Sequence, residues 1–224
     1  MDLAKRALAI HQRLLDFYGH PQWRKPLPPL DELISTILSQ NTNDLNRDTA
    51  FNALKERFTS WEALRDAPLR QVKAAIRTAG LANQKAPRIQ AALRSITKLR
   101  GQLSLEFLRD LPAPEAKIWL RQFKGVGPKT AAIVLQFSLG KPAFPVDTHI
   151  YRVTGRLGLR PAGMNVEKAH DYFEKLLTPE NYYAAHLNLI RLGREICVAR
   201  KPRCPDCPLK NLCDYYAENY KGSE

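Results

Sequence analysis

The four cysteines of this chain are its clearest candidates for chemistry, because they stand together near the C-terminus. They are Cys197, Cys204, Cys207 and Cys213, in the pattern C-x6-C-x2-C-x5-C, and the 224-residue sequence contains no others. Zinc is usually bound by two short Cys-x-x-Cys-like pairs, whereas here one such pair is present. Four thiolates on a wider loop suit an iron–sulfur cluster better. Zinc and a pair of disulfides remain the alternatives.

A glycine-rich stretch, FKGVGPKT from Phe123 to Thr130, is the second candidate site, and it joins two short segments with helical spacing. Gly125 and Gly127 permit a tight turn with positive φ, and Pro128 suits the first position of a helix. Such a turn presents backbone N–H groups and a helix N-terminus to one point, which attracts phosphate. An ordinary helix–helix turn is the alternative.

Two ionisable residues follow this turn. Lys129 lies in the first turn of the next helix, where the positive end of the helix dipole favours the neutral amine that a Schiff base needs. Asp147, in the sequence VDTH, precedes another helical segment and is interpreted most simply as its N-cap. A carboxylate near a lysine nucleophile could also stabilise a developing cation.

The composition favours a polyanionic partner. The net charge is +13 and the pI about 9.8, and basic residues are densest between Arg191 and Lys210. A solvated basic surface is the alternative. Since the N-terminus does not resemble a signal peptide and no apolar run is long enough to span a bilayer, we expect a cytoplasmic protein, nucleoid-associated if bacterial, with no membrane partner.

Apolar residues recur at helical spacing almost throughout, and no convincing alternating strand is present. The sequence therefore predicts an all-α fold, with helix caps at Asn43 or Asp44 and at Ser60. Prolines fall mostly between the helical segments, and the prolines from Pro21 to Pro29 mark a linker after the first helix.

Three motifs, FKGVGPKTA, VDTHIYRV and the cysteine pattern, resemble in order and separation the endonuclease III branch of the helix-hairpin-helix DNA glycosylases. The resemblance runs from about Leu30 to Tyr215. It implies an all-α, monomeric enzyme of two domains flanking a groove that binds damaged duplex DNA. A six-helix barrel with the hairpin would span 23–133, and a discontinuous domain, 1–22 and 134–224, would hold a [4Fe–4S] cluster on the four cysteines.

The resemblance also implies roles for individual residues. Lys129 would attack the sugar C1′, and Asp147 would assist departure of the base. Gln40 or Asn41 would fill the gap left by the flipped base, and Leu81 would wedge beside the orphaned partner base. The contacts to the DNA backbone would come from the hairpin glycines and the cysteine loop, namely Gly125, Gly127, Arg200, Lys201 and Arg203.

The predicted function is a bifunctional DNA glycosylase and AP lyase that removes oxidised pyrimidines through a lysine Schiff base and nicks the strand by β-elimination. One alternative is a monofunctional mismatch or adenine-type glycosylase, a branch that usually lacks the nucleophilic lysine. The other is a DNA-binding homologue without catalysis, which would need neither Lys129 nor Asp147.

Overall fold

The computed structural model describes residues 2–220, and the regular elements in that range are all helical. Twelve α-helices are present there: α1 (Leu3–Tyr18), α2 (Pro29–Leu38), α3 (Asp44–Arg57), α4 (Trp61–Asp66), α5 (Leu69–Ala75), α6 (Ala82–Arg100), α7 (Ala113–Arg121), α8 (Pro128–Ile133), α9 (Thr148–Arg156), α10 (Val166–Leu176), α11 (Tyr182–Glu195) and α12 (Asp214–Asn219). A π-helical segment, Val134–Ser138, directly follows α8. The predicted all-α fold is confirmed. Across the described range, no helix combines the length and apolar character needed to cross a bilayer.

The helices begin where the sequence places capping side chains. Asn43 accepts a hydrogen bond from the backbone N–H of Asn46 at 2.8 Å, and Ser60 accepts one from Ala63 at 3.1 Å. Each cap satisfies an N–H group that the helix itself leaves unpaired, and is worth about 1 kcal/mol. Both predicted caps are therefore confirmed, with Asn43 rather than Asp44 in the first.

The chain divides into two compact units. One unit, Pro26–Lys141, contains α2 to α8 and is called the hairpin unit below. Its central element is α2, in which every residue is buried. This helix packs against α3, α6, α8 and the π-helical segment, as expected of a helix that is apolar on most of its circumference.

The second unit combines the N-terminal segment up to Lys25 with the chain from Pro142 onward, and is called the cysteine unit below. Its core is formed by the apolar faces of α1, α9, α10 and α11, with Leu14, Phe144 and Ile150 fully buried. Each such side chain contributes about 2 kcal/mol through the apolar surface removed from water. This core supports the cysteine loop, because Leu209 from within the loop is itself fully buried in it.

The hairpin unit begins and ends later in the sequence than predicted: it spans 26–141, whereas the predicted limits were 23–133. Residues 22–24 belong to the cysteine unit, since the Tyr183 hydroxyl bonds the carbonyl of Gln22 and the N–H of Arg24, and Trp23 stacks on the Tyr183 ring. Residues 134–141 continue the hairpin unit, because Lys141 donates to the carbonyls of Leu135 and Leu111.

Candidate active site and cysteine centre

The glycine-rich turn connects α7 to α8, as the sequence predicts, but its two glycines have different conformations. Gly125 has a φ of +89°, which a residue with a side chain rarely adopts. Gly127 has a φ of −90° and an extended backbone, so only Gly125 uses the positive φ that both glycines permit. Gly127 precedes Pro128, which disfavours the helical region for its predecessor, and it forms the N-cap of α8.

Lys129 is exposed in the first turn of α8, directly after Pro128 at the start of the helix. The first backbone N–H groups of a helix have no partner inside it, so this end of α8 offers unpaired donors and the positive end of the helix dipole. A Cβ atom built on Gly127 would meet no other atom within 4 Å, which leaves room for a phosphate to approach the backbone.

Gln40 is tied to the hairpin turn. Its Nε2 donates to the carbonyl of Gly125 at 3.2 Å, and its Oε1 accepts from Nη1 of Arg88 at 3.3 Å. Arg88, on α6, also packs against the turn, because a Cβ added to Gly125 would lie 2.9 Å from its Cδ. Both polar atoms of the Gln40 amide are therefore engaged within the hairpin unit.

Asn41 and Leu81 share an unusual backbone conformation. In residues 2–220, only three residues other than glycine have a positive φ: Asn41 (+53°), Leu81 (+50°) and Lys201 (+53°). All three are exposed and all three are among the predicted DNA contacts. Holding a residue in this region costs about 1–2 kcal/mol for most side chains, although asparagine tolerates it better, and such strain tends to concentrate at functional sites. Leu81 leaves 44% of its surface exposed, although it is apolar.

Lys85 is a residue that the sequence interpretation missed. It lies on α6 and is fully buried, and its Nζ donates to the carbonyls of Leu38 and Ala79, both at 2.7 Å. Burial lowers the pKa of this ammonium group. A usable signal was present in the sequence, because Lys85 lies four and eight residues before Ile89 and Leu93 and so shares their buried helix face.

Asp147 is the N-cap of α9, as predicted. Its Oδ1 accepts from the backbone N–H of Ile150 at 2.8 Å, and the side chain is half-buried. The segment before it is held by His186, whose Nδ1 lies 2.9 Å from the carbonyl of Pro145. One carboxylate oxygen is thus used by the helix cap. Asp147 belongs to the cysteine unit and Lys129 to the hairpin unit.

The four cysteines are all free thiols, so the alternative of two disulfides is not formed. They line one cavity with about 360 Å³ of atom-free space, part of it open to solvent. Burial, together with a smaller contribution from the negative forms of the other three thiols, raises the pKa of Cys207 to about 11. Burial also raises the pKa of Cys204 and of Cys213. Four thiols that influence one another around a shared cavity are the soft donor set that iron–sulfur clusters use.

No group of three or more His, Cys, Asp or Glu side chains within residues 2–220 is arranged to hold a single metal ion. The cysteine loop is instead organised by Arg156 of α9. Its Nη1 lies 3.3 Å from Sγ of Cys197 and donates to the carbonyl of Val198 at 2.8 Å, while Nη2 donates to that of Ala199 at 3.0 Å. The residues therefore fit a cluster in donor type, and the loop that carries them is fixed by the protein itself.

The basic residues of the cysteine loop differ in whether their side chains form hydrogen bonds within the cysteine unit. Arg200 and Lys201 are exposed, whereas Arg203 is exposed but donates from Nη2 to the carbonyl of Glu195 at 2.7 Å. The backbone N–H of Arg203 also donates to Ile196 at 3.0 Å. Arg203 thus closes the start of the loop and is already partly engaged by the fold.

The sequence and structure match one family of known proteins. The model of the HhH-GPD superfamily of base excision DNA repair proteins matches residues 34–179. The chain is 35% identical over 205 residues to endonuclease III of Thermotoga maritima, covering 90% of each protein. The chain belongs to the endonuclease III family.

Two further similarities agree with this assignment to the endonuclease III family. A candidate DNA glycosylase of Arabidopsis thaliana is 36% identical over 195 residues, which cover 83% of this chain and 66% of the plant protein. A solved structure of endonuclease III in a trapped covalent intermediate with DNA has a TM-score of 0.82 and 27% identity, covering 97% of this chain and 99% of that one. The protein is therefore an enzyme of base excision repair, in a family of DNA glycosylases and AP lyases, and the predicted family is confirmed.

Proposed function

We propose that this endonuclease III family member is a bifunctional DNA glycosylase and AP lyase that removes oxidised pyrimidines from duplex DNA. The observation that carries the proposal is the exposed Lys129 at the N-terminus of α8, presented by a hairpin turn whose N-cap residue leaves space for a phosphate. A glycosylase that activates only water would have no use for a lysine at this place. The lesion class is what the resemblance of the three sequence motifs to the endonuclease III family implies.

Lys129 acts as the nucleophile. Its neutral amine forms a bond to the sugar C1′ as the glycosidic bond breaks, and the base leaves with the bonding electron pair and takes up a proton. Opening of the sugar ring between C1′ and its oxygen gives an imine. This imine acidifies the C2′ proton, and loss of that proton expels the 3′ phosphate by β-elimination, which nicks the strand.

Asp147 stabilises the positive charge that develops on the sugar while the base departs. Its half-buried carboxylate is oriented before the reaction, because one oxygen is fixed by the N–H of Ile150. Preorganised charge of this kind is worth more in a water-excluded site than in bulk solvent.

Flipping the base out of the duplex costs a few kcal/mol in lost stacking and pairing. We propose that Asn41 fills the resulting gap and that Leu81 wedges beside the partner base. Asn41 is preferred over Gln40, because both polar atoms of Gln40 are already engaged with the turn and with Arg88. The exposed, apolar side chain of Leu81 suits contact with a base face.

Cys197, Cys204, Cys207 and Cys213 would hold a [4Fe–4S] cluster. When bound, the cluster would supply a covalent clip for the loop rather than a step of the reaction. Arg156 supports that loop from α9, and Arg200 and Lys201 meet the DNA backbone together with the hairpin turn. We expect the enzyme to act as a monomer on damaged double-stranded DNA.

The test is a panel of duplexes that each carry one lesion, with borohydride added to reduce the imine and trap the protein on DNA. Release of an oxidised pyrimidine together with a trapped adduct supports the proposal. Lys129→Gln should abolish the adduct and keep DNA binding, while Lys124→Gln, an exposed lysine of the same turn, should trap like the wild type. Base release without any adduct would instead indicate a monofunctional glycosylase, and an adduct that survives Lys129→Gln would identify a different nucleophile.

A further inference from the structure

The buried ammonium of Lys85 connects two segments of the hairpin unit that are distant in sequence. One bonded carbonyl belongs to Leu38, the last residue of α2, and the other to Ala79, the last residue of a 3₁₀ turn, Arg77–Ala79. Each carbonyl is followed within three residues by a residue held at positive φ, Asn41 in one segment and Leu81 in the other.

A fully buried lysine is unusual, since removing an ammonium group from water carries a large desolvation penalty even when the group is paired. Packing alone would be served as well by a methionine of similar length. What an ammonium adds is three donors and no acceptor, so it can bond two carbonyls at once without leaving a buried acceptor unpaired. Both carbonyls end helical segments, where the helix dipole places partial negative charge.

We infer that Lys85 is a positioning residue that holds the Asn41 segment and the Leu81 segment at a fixed separation, so that the two side chains enter the duplex as one unit. This inference rests on the proposed function, because it assigns Lys85 a role in base flipping. The physical reason is preorganisation: two probes that are already fixed lose little conformational freedom on binding, whereas two independent loops must each be ordered against the DNA.

Gln90 provides a matched control on the same helix. It is also buried, with 2% of its surface exposed, and its Nε2 donates to the carbonyls of Leu64, Arg65 and Ala67. It therefore makes the same kind of side-chain bond to backbone carbonyls as Lys85 but to a connection that carries no proposed DNA contact. Gln90→Leu should lower stability without changing base flipping.

The experiment compares wild type, Lys85→Met and Gln90→Leu on two duplexes, one with an oxidised pyrimidine and one with a preformed abasic site. The abasic duplex contains no base to flip, so the ratio of the two rates reports flipping. We expect Lys85→Met to lower this ratio by roughly tenfold to a hundredfold, the scale of a misplacement of about 1 Å. Gln90→Leu should leave this ratio unchanged, even if it lowers the melting temperature as much as Lys85→Met does.

A double-mutant cycle with Leu81→Gly completes the test. If Lys85 acts through Leu81, the two substitutions together should reduce the ratio little more than Leu81→Gly alone. If Lys85→Met does not fold, Lys85→Gln, whose amide can still donate to a carbonyl, is measured in its place. Equal losses on both duplexes, or fully additive effects, would show that Lys85 is only structural. Absence of base release by the wild type would instead count against the proposed function itself.

Discussion

The hairpin unit and the cysteine unit hold their candidate functional residues in different ways. In the hairpin unit, Asn41, Leu81 and Lys129 are exposed, and the first two have a positive φ and follow segments whose carbonyls accept hydrogen bonds from Lys85. In the cysteine unit, the four thiols surround a shared cavity, and Arg156 fixes the loop around them. A substitution at one of the exposed residues of the hairpin unit should therefore remove function and leave the fold intact. A substitution at one of the four cysteines should instead destabilise the fold and reduce every function equally.

The largest effect is expected at the cysteines. Cys207→Ala should remove one of four ligands and lower the free energy of unfolding by several kcal/mol, because the binding energy of a structural metal centre is largely folding energy. Iron content, absorption near 400 nm and the unfolding transition measure the result. Arg200→Ala, an exposed change in the same loop, should retain the iron and the stability. A Cys207→Ala protein that is colourless but stable and fully active would contradict the prediction that a cluster on the four cysteines stabilises the loop.

Asp147 tests whether a half-buried candidate catalytic residue in the cysteine unit behaves like the exposed ones of the hairpin unit. Asp147→Asn should slow base release by roughly 10²–10³-fold, since the charge that stabilises the sugar cation is lost. Stability should change little, because asparagine caps helices about as well as aspartate. The measurement is the single-turnover rate of base release together with thermal unfolding.

The matched control for Asp147 is Asn165, whose side chain caps α10 by accepting from the N–H of Lys168 at 2.9 Å. Asn165→Ala should cost about 1 kcal/mol of stability and leave base release unchanged. If Asp147→Asn lost only as much activity as Asn165→Ala, the carboxylate would serve the helix alone.

How much of this arrangement can be predicted from the sequence depends on the range of the interactions. The caps at Ser60 and Asp147 involve partners three residues away, and sequence patterns identified both. The contact between Lys85 and Leu38 spans 47 residues, and no local pattern indicates which carbonyl a buried lysine will meet. The choice between Gln40 and Asn41 also required the fold, because Gly125, which accepts from Gln40, lies 85 residues away.

The conformation of Gly127 has a local cause instead. Glycine permits positive φ but does not require it, and at Gly127 the following proline and the helix cap favour an extended backbone. By contrast, Leu81 gives no sequence signal of positive φ, since leucine avoids that region unless its surroundings impose it.

Leu81 provides a sharp separation of function from stability. Leu81→Gly removes the wedge, so base release should fall by roughly tenfold or more, while nicking of a preformed abasic site changes little. Stability should stay constant or rise by up to about 1 kcal/mol, because glycine adopts a φ of +50° without the cost that leucine bears. Leu99→Gly, at an exposed position in the last turn of α6, should show the reverse, with a loss of stability of up to about 1 kcal/mol and base release retained.

Substitutions of Lys201 are expected to give the smallest effect. This residue lies in the cysteine loop but shares the exposed position and positive φ of Asn41 and Leu81. It is the third non-glycine residue at positive φ within the described range, and it is exposed. Lys201→Gly should keep the loop and the iron, because the backbone conformation suits glycine.

If the side chain neutralises one phosphate, the slope of log K against log salt should fall in magnitude by about 0.9, equally on damaged and undamaged duplexes. Lys201→Asn should reduce the slope equally, because asparagine also tolerates this conformation. Lys201→Arg keeps the positive charge and should therefore keep the wild-type slope. An unchanged slope in both neutral variants would mean that the strain at Lys201 serves the geometry of the cysteine loop rather than contact with DNA.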